Sequence, residues 1–590
     1  MTELNAVHRR NIVLVGLFQG LLLLVAHELI RRSVWPTPPL MVFTPWYAIV
    51  IAVPLALQLM IGSVMNRRLI SFAVMVAAVL ALLGTYVGWT VGVQDYWSTV
   101  LWSFGLTIYV AWHVLVPLAQ TGLAQGRWHF PYVSLFENAW NNTFTFIIAW
   151  VFTGIFWALL MLWASLFRVL KISFFFDVFT SPYFYYPALS AVSAFAVYLG
   201  RKHVSAVVTV RRIVLSIFRG LLPLLALIAL LFLAALPFTG LAPLWATGHA
   251  TSLMLTLQLL LILFLNAVYQ DGTGEPPYHR ALRRVIELAI LLAPVYTLLC
   301  FYALSLRIDQ HGWSVDRVWA VLITGLAGCY LVGYATAVVW RRKAWMGLMS
   351  PLNVGVAMVV IAVMVAVNTP LLDTRAITVR SQLDRLLVGK VSADAFDYRY
   401  FRFHLARVGN DALRQLEQLT DHPEAETIRG HAQRMLATTY PYGEPEGLKP
   451  VVEKPDDLKR HLVLYPQNTE FDPTFLRHLF DVRAQPLMKD CINKKPCSVL
   501  AVDLNDDKQR DYVVISCPTH WEFKAEVFAR TAGGWSHVGD LNSPNSSCPE
   551  VLRESENFLR EGDFGAARSA WRNLRVGKTM VPFTEKESLK

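Results

Sequence analysis

"NIVLVGLFQGLLLLVAHELI", residues 11–30, is a stretch of twenty residues with a single charged side chain. About 20 mostly apolar residues in a helix span the hydrocarbon core of a bilayer. Arg9 and Arg10 precede the stretch, as they would precede a signal peptide. The run is long for a signal peptide, however, and no small-x-small cleavage motif separates it from Arg31 and Arg32. The stretch therefore predicts a retained transmembrane helix.

Comparable apolar stretches recur along the first 370 residues. The chain has 590 residues, of which 55% are hydrophobic and 16% charged, and its mean hydropathy is +0.42. This composition is typical of an integral membrane protein. Eleven transmembrane helices are predicted, at 11–30, 42–64, 69–93, 98–119, 143–167, 183–200, 213–236, 250–269, 285–306, 315–340 and 352–368. The sixth, 183–200, is short and has the weakest pattern.

The positive charge of the chain is confined to its hydrophobic part. Residues 1–370 contain 22 Lys and Arg against 10 Asp and Glu, a balance of +12, whereas residues 371–590 contain 31 against 32, a balance of −1. Such a distribution indicates membrane topology and argues against binding of nucleic acid.

Lysine and arginine in the short loops predict the orientation. Fifteen lie at the N-terminus and in the even-numbered loops, and six in the odd-numbered loops. The positive-inside rule therefore predicts a cytoplasmic N-terminus, and eleven spans place everything after about Pro370 outside the cytoplasm.

After the last span the pattern becomes that of a globular domain. Helical periodicity is predicted at 371–440, and a linker rich in Pro, Gly and charged residues at 441–458. Residues 459–590 predict a small α+β domain with an antiparallel sheet. The predicted fold is thus a polytopic all-α membrane bundle of about eleven transmembrane helices, 1–370, followed by an α+β extracytoplasmic domain.

Four of the six cysteines lie in the terminal domain: Cys491, Cys497, Cys517 and Cys548. An even number in one domain is compatible with disulfides and an oxidising compartment. Three pairings are possible, and we favour Cys491–Cys497 with Cys517–Cys548.

The stretch "AVDLNDDKQRDYVVI", residues 501–515, resembles a calcium loop. Asp503, Asn505, Asp507 and Asp511 occupy positions 1, 3, 5 and 9, which supply the hard oxygen ligands that calcium prefers. Lys508 occupies position 6, where glycine usually permits the turn, and no glutamate stands at position 12. The alternative is an Asx-rich turn between two strands.

Common catalytic motifs are absent from the sequence: it contains no phosphate-binding loop of the G-x-x-x-x-G-K-[ST] type, no G-x-S-x-G and no H-E-x-x-H. Asp271, Glu275, His279 and Arg280 share one loop that could handle a phosphate, although a polar turn followed by cytoplasmic anchors explains them better.

Glycines recur at helical contact spacing in two spans, and they predict close helix packing there. They are Gly16 and Gly20 in the first, and Gly84, Gly88 and Gly92 in the third.

Several stretches resemble a bacterial integral-membrane family known as domain of unknown function 4153. They are "SLFENAWNNTF" (134–144), "LLPLLALIALLFLAALPFTGLAPLW" (221–245), "LNAVYQDG" (265–272) and "LSLRIDQHGWSVDRVWA" (304–320), with "SQLDRLL" (381–387) and "FDYRYFRFHLARVGNDAL" (396–413) after the spans. The resemblance implies a location in the bacterial cytoplasmic membrane. It implies no activity, so no catalytic residue follows from it.

Three functions are compatible with these features. The first is a non-enzymatic envelope protein that senses, binds or scaffolds through its outer domain, with the lipid bilayer and an envelope protein or lipid as partners. The alternative is a transporter or flippase for a lipid or envelope precursor, because eleven spans exceed what an anchor needs. The third is a membrane-embedded enzyme acting on a lipid-linked substrate.

Overall fold

A computed structural model describes most of the chain. The described residues are 4–32, 40–62, 66–91, 98–125, 130–246, 249–270, 277–340, 346–438, 454–466, 469–482, 486–493, 497–519, 522–531, 533–541, 574–576 and 579–581. The chain forms two compact units, Met1–Gln433 and Arg434–Lys590.

The first unit is helical. Its helices are α1 (Ala6–Arg31), α2 (Leu40–Met60), α3 (Asn66–Val91), α4 (Ser98–Gln125), α5 (Tyr132–Val169), α6 (Phe174–Thr180), α7 (Pro182–Lys202), α8 (Val204–Thr239), α9 (Ala242–Ala246), α10 (Ala250–Tyr269), α11 (Arg280–His311), α12 (Val315–Val339), α13 (Met349–Ala366), α14 (Thr374–Leu387), α15 (Tyr398–His404) and α16 (Ala406–Glu417). Helix α17 (Ala425–Ala437) crosses the boundary between the units. In the described part of the chain, ten helices are long and apolar enough to cross a membrane: α1–α5, α8 and α10–α13.

Helix α7, the predicted sixth span, is not among these ten, but it runs antiparallel along α1. Near the start of α7, the Tyr183 hydroxyl accepts a hydrogen bond of 3.2 Å from the Arg32 guanidinium, just after the end of α1. Near the end of α7, Tyr198 packs in one buried cluster with Ile12 of α1. Helix α7 therefore covers nearly the whole length of α1.

The same helix also runs antiparallel to α5. Phe175 and Phe179 of α6, the short helix just before α7, pack on Trp163 near the end of α5, with ring centroids 5.1 and 5.8 Å from that of Trp163. At its other end, α7 brings Gly200 against Thr145 in the first half of α5. Helix α7 thus returns the chain from the last turns of α5 to the level of its first half.

Glycines permit the closest helix contacts, as the sequence predicted. A Cβ atom at Gly16 would lie 2.3 Å from the Ala194 Cβ on α7, and one at Gly20 would lie 2.5 Å from the Tyr186 carbonyl oxygen. On α3, a Cβ at Gly88 would lie 2.3 Å from a backbone oxygen of α2. Real Cβ atoms do not approach this closely, so only glycine allows these backbones to meet.

Helices α14–α16, here called the platform helices, belong to the first compact unit. The Arg385 guanidinium donates to the carbonyl oxygens of Asp309 and Gln310, at 3.0 and 2.6 Å, at the end of α11. Asp373 caps the first turn of α14 and accepts a 3.0 Å hydrogen bond from the Tyr86 hydroxyl on α3. The platform helices are therefore grouped with the long helices, and the division between the compact units, at Gln433/Arg434, lies near the end of the predicted helical segment 371–440.

Replacing Arg385 by alanine is expected to loosen the platform helices. The two hydrogen bonds from its guanidinium satisfy carbonyl groups that a helix end leaves without partners. Hydrogen bonds from a charged donor contribute about 1.5–3 kcal/mol. Hydrogen–deuterium exchange of the full-length protein should show faster exchange in α14 for Arg385→Ala. The control Arg380→Ala removes an exposed arginine of the same helix, and equal exchange in the two variants would contradict the capping role.

The second unit is built on a five-stranded sheet. Its strands are β1 (Leu462–Tyr465), β2 (Cys497–Val502), β3 (Asp511–Thr519), β4 (Glu522–Thr531) and β5 (Gly534–Leu541), in that spatial order. Helices α18 (Pro473–Asp481) and α19 (Pro486–Asn493) connect β1 to β2, and β6 (Leu574–Val576) pairs with β7 (Thr579–Val581). A 3-10 helix, Pro455–His461, begins inside the predicted linker 441–458, of which residues 441–453 lie outside the described part.

The prediction of an antiparallel sheet needs one correction. Strands β2 to β5 pair antiparallel, but β1 pairs parallel with β2. Parallel neighbours need a long crossover, which the α18–α19 connection provides and which strand patterns alone do not show. The core beneath the sheet is aromatic: the Phe475 ring stacks on Tyr512 at a centroid distance of 4.1 Å and contacts Phe528 and Trp535.

Candidate functional site

The acidic loop joins β2 to β3. The carboxylates of its first and last acidic residues accept hydrogen bonds from backbone amides within the loop. The Asp503 carboxylate accepts a 2.8 Å hydrogen bond from the Lys508 amide, and the Asp511 carboxylate accepts one of 3.0 Å from the Leu504 amide. Asp511 is buried, whereas Lys508 is exposed. Each of the two carboxylates thus binds an amide at the opposite end of the loop.

The middle of the loop is an Asx-type turn. The Asn505 side-chain oxygen accepts from the Asp507 amide at 3.0 Å, and the Asp507 carboxylate accepts from the Gln509 amide at 2.7 Å. Asp506 and Lys508 adopt the left-handed conformation, with φ of 62° and 63°. Among the described residues, no group of three or more His, Cys, Asp or Glu side chains is arranged to hold a metal ion. These contacts are those of a structural turn, and the calcium site stays a prediction.

Replacing Asp511 by asparagine is expected to stabilise the second unit at neutral pH. Burial raises the pKa of Asp511 above its ordinary value of 3.8, and the charges of Asp507 and Asp503 raise it further, against the hydrogen bond from the Leu504 amide. At pH values between 3.8 and the raised pKa, the folded state therefore binds more protons than the unfolded state. The free energy of unfolding consequently falls as the pH rises through this interval, and it stays lower at higher pH. Asparagine keeps an oxygen for Leu504 and does not ionise.

Pulse proteolysis of the full-length protein across a urea series measures this effect. We expect a higher midpoint for Asp511→Asn than for the wild type at pH 7, and no difference well below the ordinary pKa of an aspartate. A wild-type midpoint that rises with millimolar calcium, together with loss of that rise in Asp511→Asn, would instead establish the loop as a metal site.

The cysteines agree with the predicted pairing where they are described. Cys491 of α19 and Cys497 of β2 form a disulfide, with Cα atoms 5.1 Å apart, inside the core of the second unit. This part of the prediction is confirmed. Cys517 lies in β3, but Cys548 lies outside the described residues, so the Cys517–Cys548 bridge stays a prediction.

Charged side chains within the long helices pair near the helix ends. Glu28 contacts both Arg31 and Arg32, at 3.2 and 2.9 Å, at the end of α1. Glu287 accepts a 2.8 Å hydrogen bond from Arg283, one turn before it on α11. These pairs are local contacts that keep the charges close to the end of each helix.

The loop that could handle a phosphate, 270–280, is described only in part. Asp271 and Glu275 lie outside the described residues. His279 caps α11 by accepting a hydrogen bond of 3.4 Å from the Ala281 amide, and Arg280 is the first residue of that helix. The two described residues thus begin a helix.

A basic cavity lies where α5 and α8 begin and α10 ends. Its volume is about 530 Å³. Its charged lining consists of Arg211, Arg212 and Arg219 from α8 and Glu137 from α5. Three positive charges and one negative charge leave a formal excess of two positive charges. The cavity therefore suits an anion.

Arg211 is held in place by α5. Its guanidinium donates a 3.1 Å hydrogen bond to the Asn141 side-chain oxygen and lies 3.5 Å from the Glu137 carboxylate. Only 14% of the Arg211 side chain is exposed. Two turns further along α8, the Arg219 guanidinium donates to the carbonyl oxygen of Pro277 at 3.1 Å. Two of the three cations thus have fixed positions.

Beside the cavity, an amide cluster joins four helices. Asn266 of α10 accepts hydrogen bonds from the Tyr132 hydroxyl of α5 and the Asn353 amide of α13, at 3.0 and 2.6 Å. The Tyr334 hydroxyl of α12 donates to Asn353 at 2.7 Å. The cluster fixes the end of α10 against the start of α5, and these two ends form walls of the cavity.

The sequence pattern did not single out this cavity. Arg211 and Arg212 were interpreted only as cytoplasmic anchors, because the cavity forms only where α5, α8 and α10 come together in space. One feature could have indicated it: Glu137 and Asn141 are one helical turn apart in "SLFENAWNNTF", which gives the start of an apolar span a polar face.

Comparisons of the chain with models of protein families, with curated proteins and with solved structures give no match. The resemblance to domain of unknown function 4153 therefore stays a prediction.

Proposed function

We propose that the chain is a bacterial inner-membrane protein with a cytoplasmic N-terminus. It crosses the membrane eleven times and senses, binds or scaffolds an envelope component through its sheet domain on the periplasmic side. The observation that carries the proposal is the course of α7, because ten crossings would leave both ends of the chain on one side.

Helix α7 supplies the eleventh crossing. It runs antiparallel to α1 over nearly its full length, and it returns the chain from the end of α5 to the level of its first half. A helix that accompanies a transmembrane helix from end to end crosses the membrane with it. Twenty-one residues of α-helix extend about 31 Å, which is sufficient for the hydrocarbon core.

Two further features support an outer second unit. The loop arginines and lysines favour a cytoplasmic N-terminus, because fifteen lie on its side and six on the other. The Cys491–Cys497 disulfide is of the kind that persists in an oxidising compartment.

The polar groups of the first unit argue against ion-coupled transport. Several polar groups inside the helices are neutral and paired with one another, as in the Gln19–Gln58 hydrogen bond of 3.2 Å and the Asn266–Tyr334–Asn353 cluster. Glu28 and Glu287 pair within their own helices near the ends. Ion and proton pathways use ionisable groups deep in the membrane, whereas these carboxylates are placed as helix-end contacts.

Fusions to a reporter enzyme that is active only in the periplasm test the proposal. Activity is expected after Lys171, which precedes α7, and after Lys590, but not after Lys202, at the end of α7. Lys171 and Lys202 are the decisive pair, because only a crossing by α7 separates them. Equal reporter activity at these two sites, or an active cytoplasmic reporter after Lys590, would overturn the topology and the function that depends on it.

A further inference from the structure

The part of α8 that lines the basic cavity exceeds what a membrane crossing needs. Helix α8 has 36 residues and extends about 54 Å, whereas the hydrocarbon core of a bilayer is about 30 Å thick. Its last twenty residues, 220–239, contain no charged side chain and suffice for the crossing. The three cavity arginines all precede this stretch. The cavity therefore belongs to the aqueous end of α8, where a ligand can arrive from solution.

The excess positive charge of the cavity lies on Arg212 and Arg219. The charge of Arg211 is opposed by the Glu137 carboxylate, 3.5 Å away. Arg219 donates to the neutral carbonyl group of Pro277. Arg212 is exposed and has no hydrogen bond or ion pair within the described part of the chain. Two guanidinium charges thus line one cavity without a carboxylate partner among the described residues.

The polar donors of α8 are spaced along one side of that helix. Ser216 and Arg219 follow Arg212 by four and seven residues, which places them one and two turns further on the same side. Ser216 therefore lies between the two arginines, and all three residues line the cavity. Donors arranged in this way reach a ligand from several directions. They suit a group with several acceptor oxygens better than a carboxylate, whose two oxygens share one plane.

The rest of the cavity lining is largely apolar. Its volume of about 530 Å³ is within the usual range of small-molecule pockets, about 300–1,000 Å³. Apolar side chains of α5 and α8 form part of its walls: Val133, Phe136, Val208 and Leu215. A bare inorganic ion would leave these walls without a contact. The lining therefore favours an anion that carries an organic part.

We propose that the cavity binds a soluble organic phosphate monoester. Such a group carries a charge of about −1.5 to −2 at pH 7 and three strong acceptor oxygens. The charge balances that of Arg212 and Arg219, and guanidinium groups match phosphate oxygens in pairs. A phosphodiester or a carboxylate has a single negative charge and leaves one arginine charge unbalanced. The organic part of the ligand lies against the apolar walls.

Isothermal titration calorimetry of the full-length protein in detergent tests the proposal with three probes that share a phenyl ring. They are phenyl phosphate, methyl phenyl phosphate and benzoate, which carry a phosphate monoester, a phosphodiester and a carboxylate. We expect phenyl phosphate to bind about tenfold more tightly than either of the other two, because it alone balances both arginine charges. Equal affinity for the three probes, or no binding of phenyl phosphate, would overturn the proposal.

Competition titrations identify the source of the phosphate. Dioleoylphosphatidic acid carries the same monoester on a lipid, and inorganic phosphate has no organic part. Both should displace phenyl phosphate poorly at equal concentration, because the cavity lies at the aqueous end of α8 and has apolar walls. Efficient displacement by the lipid would overturn the soluble source, and efficient displacement by inorganic phosphate would overturn the organic part.

Charge variants locate the binding site. Arg212→Gln/Arg219→Gln should weaken phenyl phosphate binding about tenfold, and Glu137→Gln should strengthen it, because the first change removes positive charge from the cavity and the second removes negative charge. The control Arg67→Gln removes an exposed arginine at the start of α3, outside the cavity lining, and should bind like the wild type.

Should the double variant fail to fold, Arg212→Gln alone changes one exposed side chain and should still weaken binding. Wild-type affinity in the folded arginine variants, or weaker binding by Glu137→Gln, would overturn the assignment to this cavity. These outcomes are independent of the side on which the second unit lies.

Discussion

Replacing Gly16 by leucine is expected to separate α1 from α7 and to lower the stability of the first unit by about 3 kcal/mol or more. A Cβ atom at this position would lie 2.3 Å from the Ala194 Cβ and 2.7 Å from the Ser190 carbonyl oxygen. The second contact is with backbone, which cannot rotate away as a side chain can. The two helices must therefore move apart, and the small-residue contact that holds them is lost along with the packing around it.

The thermal stability of the purified protein in detergent measures this effect. Gly105→Leu is the matched control, because Gly105 also lies in a long helix, α4, but a Cβ there would have no neighbour within 4 Å. Gly16→Leu should melt well below Gly105→Leu.

The milder pair Gly16→Ala and Ala194→Gly forms a double-mutant cycle, in which the second change should relieve part of the damage from the first. Equal melting of Gly16→Leu and Gly105→Leu would mean that α1 and α7 are not in contact.

The contact at Gly16 also explains why sequence patterns find α7 with difficulty. Hydropathy detects helices whose side chains face lipid, and it favours leucine and isoleucine. Helix α7 instead carries Ser190 and Ala194 where it meets α1, and these small side chains serve helix contact. The sixth span was accordingly the weakest of the predicted helices, although its position at 183–200 agrees closely with Pro182–Lys202.

The platform helices show a second limit of sequence patterns. Helical periodicity predicted helices after residue 371, as found. Their membership of the first compact unit depends on side chains such as Arg385 and Asp373, which reach residues 76 and 287 positions away along the chain. Periodicity reports only which face of a helix is apolar. It does not reveal a polar side chain that binds the end of another helix, nor three arginines that meet Glu137 in one cavity.

Replacing Phe475 by alanine is expected to cost the second unit about 3–5 kcal/mol, the usual range for removing a buried phenylalanine. Phe475 is fully buried, and its ring stacks on Tyr512 at 4.1 Å and lies 5.0 Å from the ring of Trp535. It joins α18 to strands β3, β4 and β5, so the cavity left behind would reach several elements at once. Because whole domains are stable by about 5–15 kcal/mol, such a loss is a large fraction of the total.

Pulse proteolysis of the full-length variant in urea, with detection of the fragment that carries the sheet, gives the size of this loss. Phe475→Leu should lie between alanine and the wild type, because leucine fills part of the space but cannot stack on Tyr512. Val538→Ala is the control, since Val538 of β5 is 54% exposed and little packing depends on it. A Phe475→Ala midpoint close to that of Val538→Ala would show that the aromatic cluster does not hold α18 on the sheet. The second unit would then depend chiefly on its strand pairing and on the Cys491–Cys497 bridge, which fastens α19 to β2.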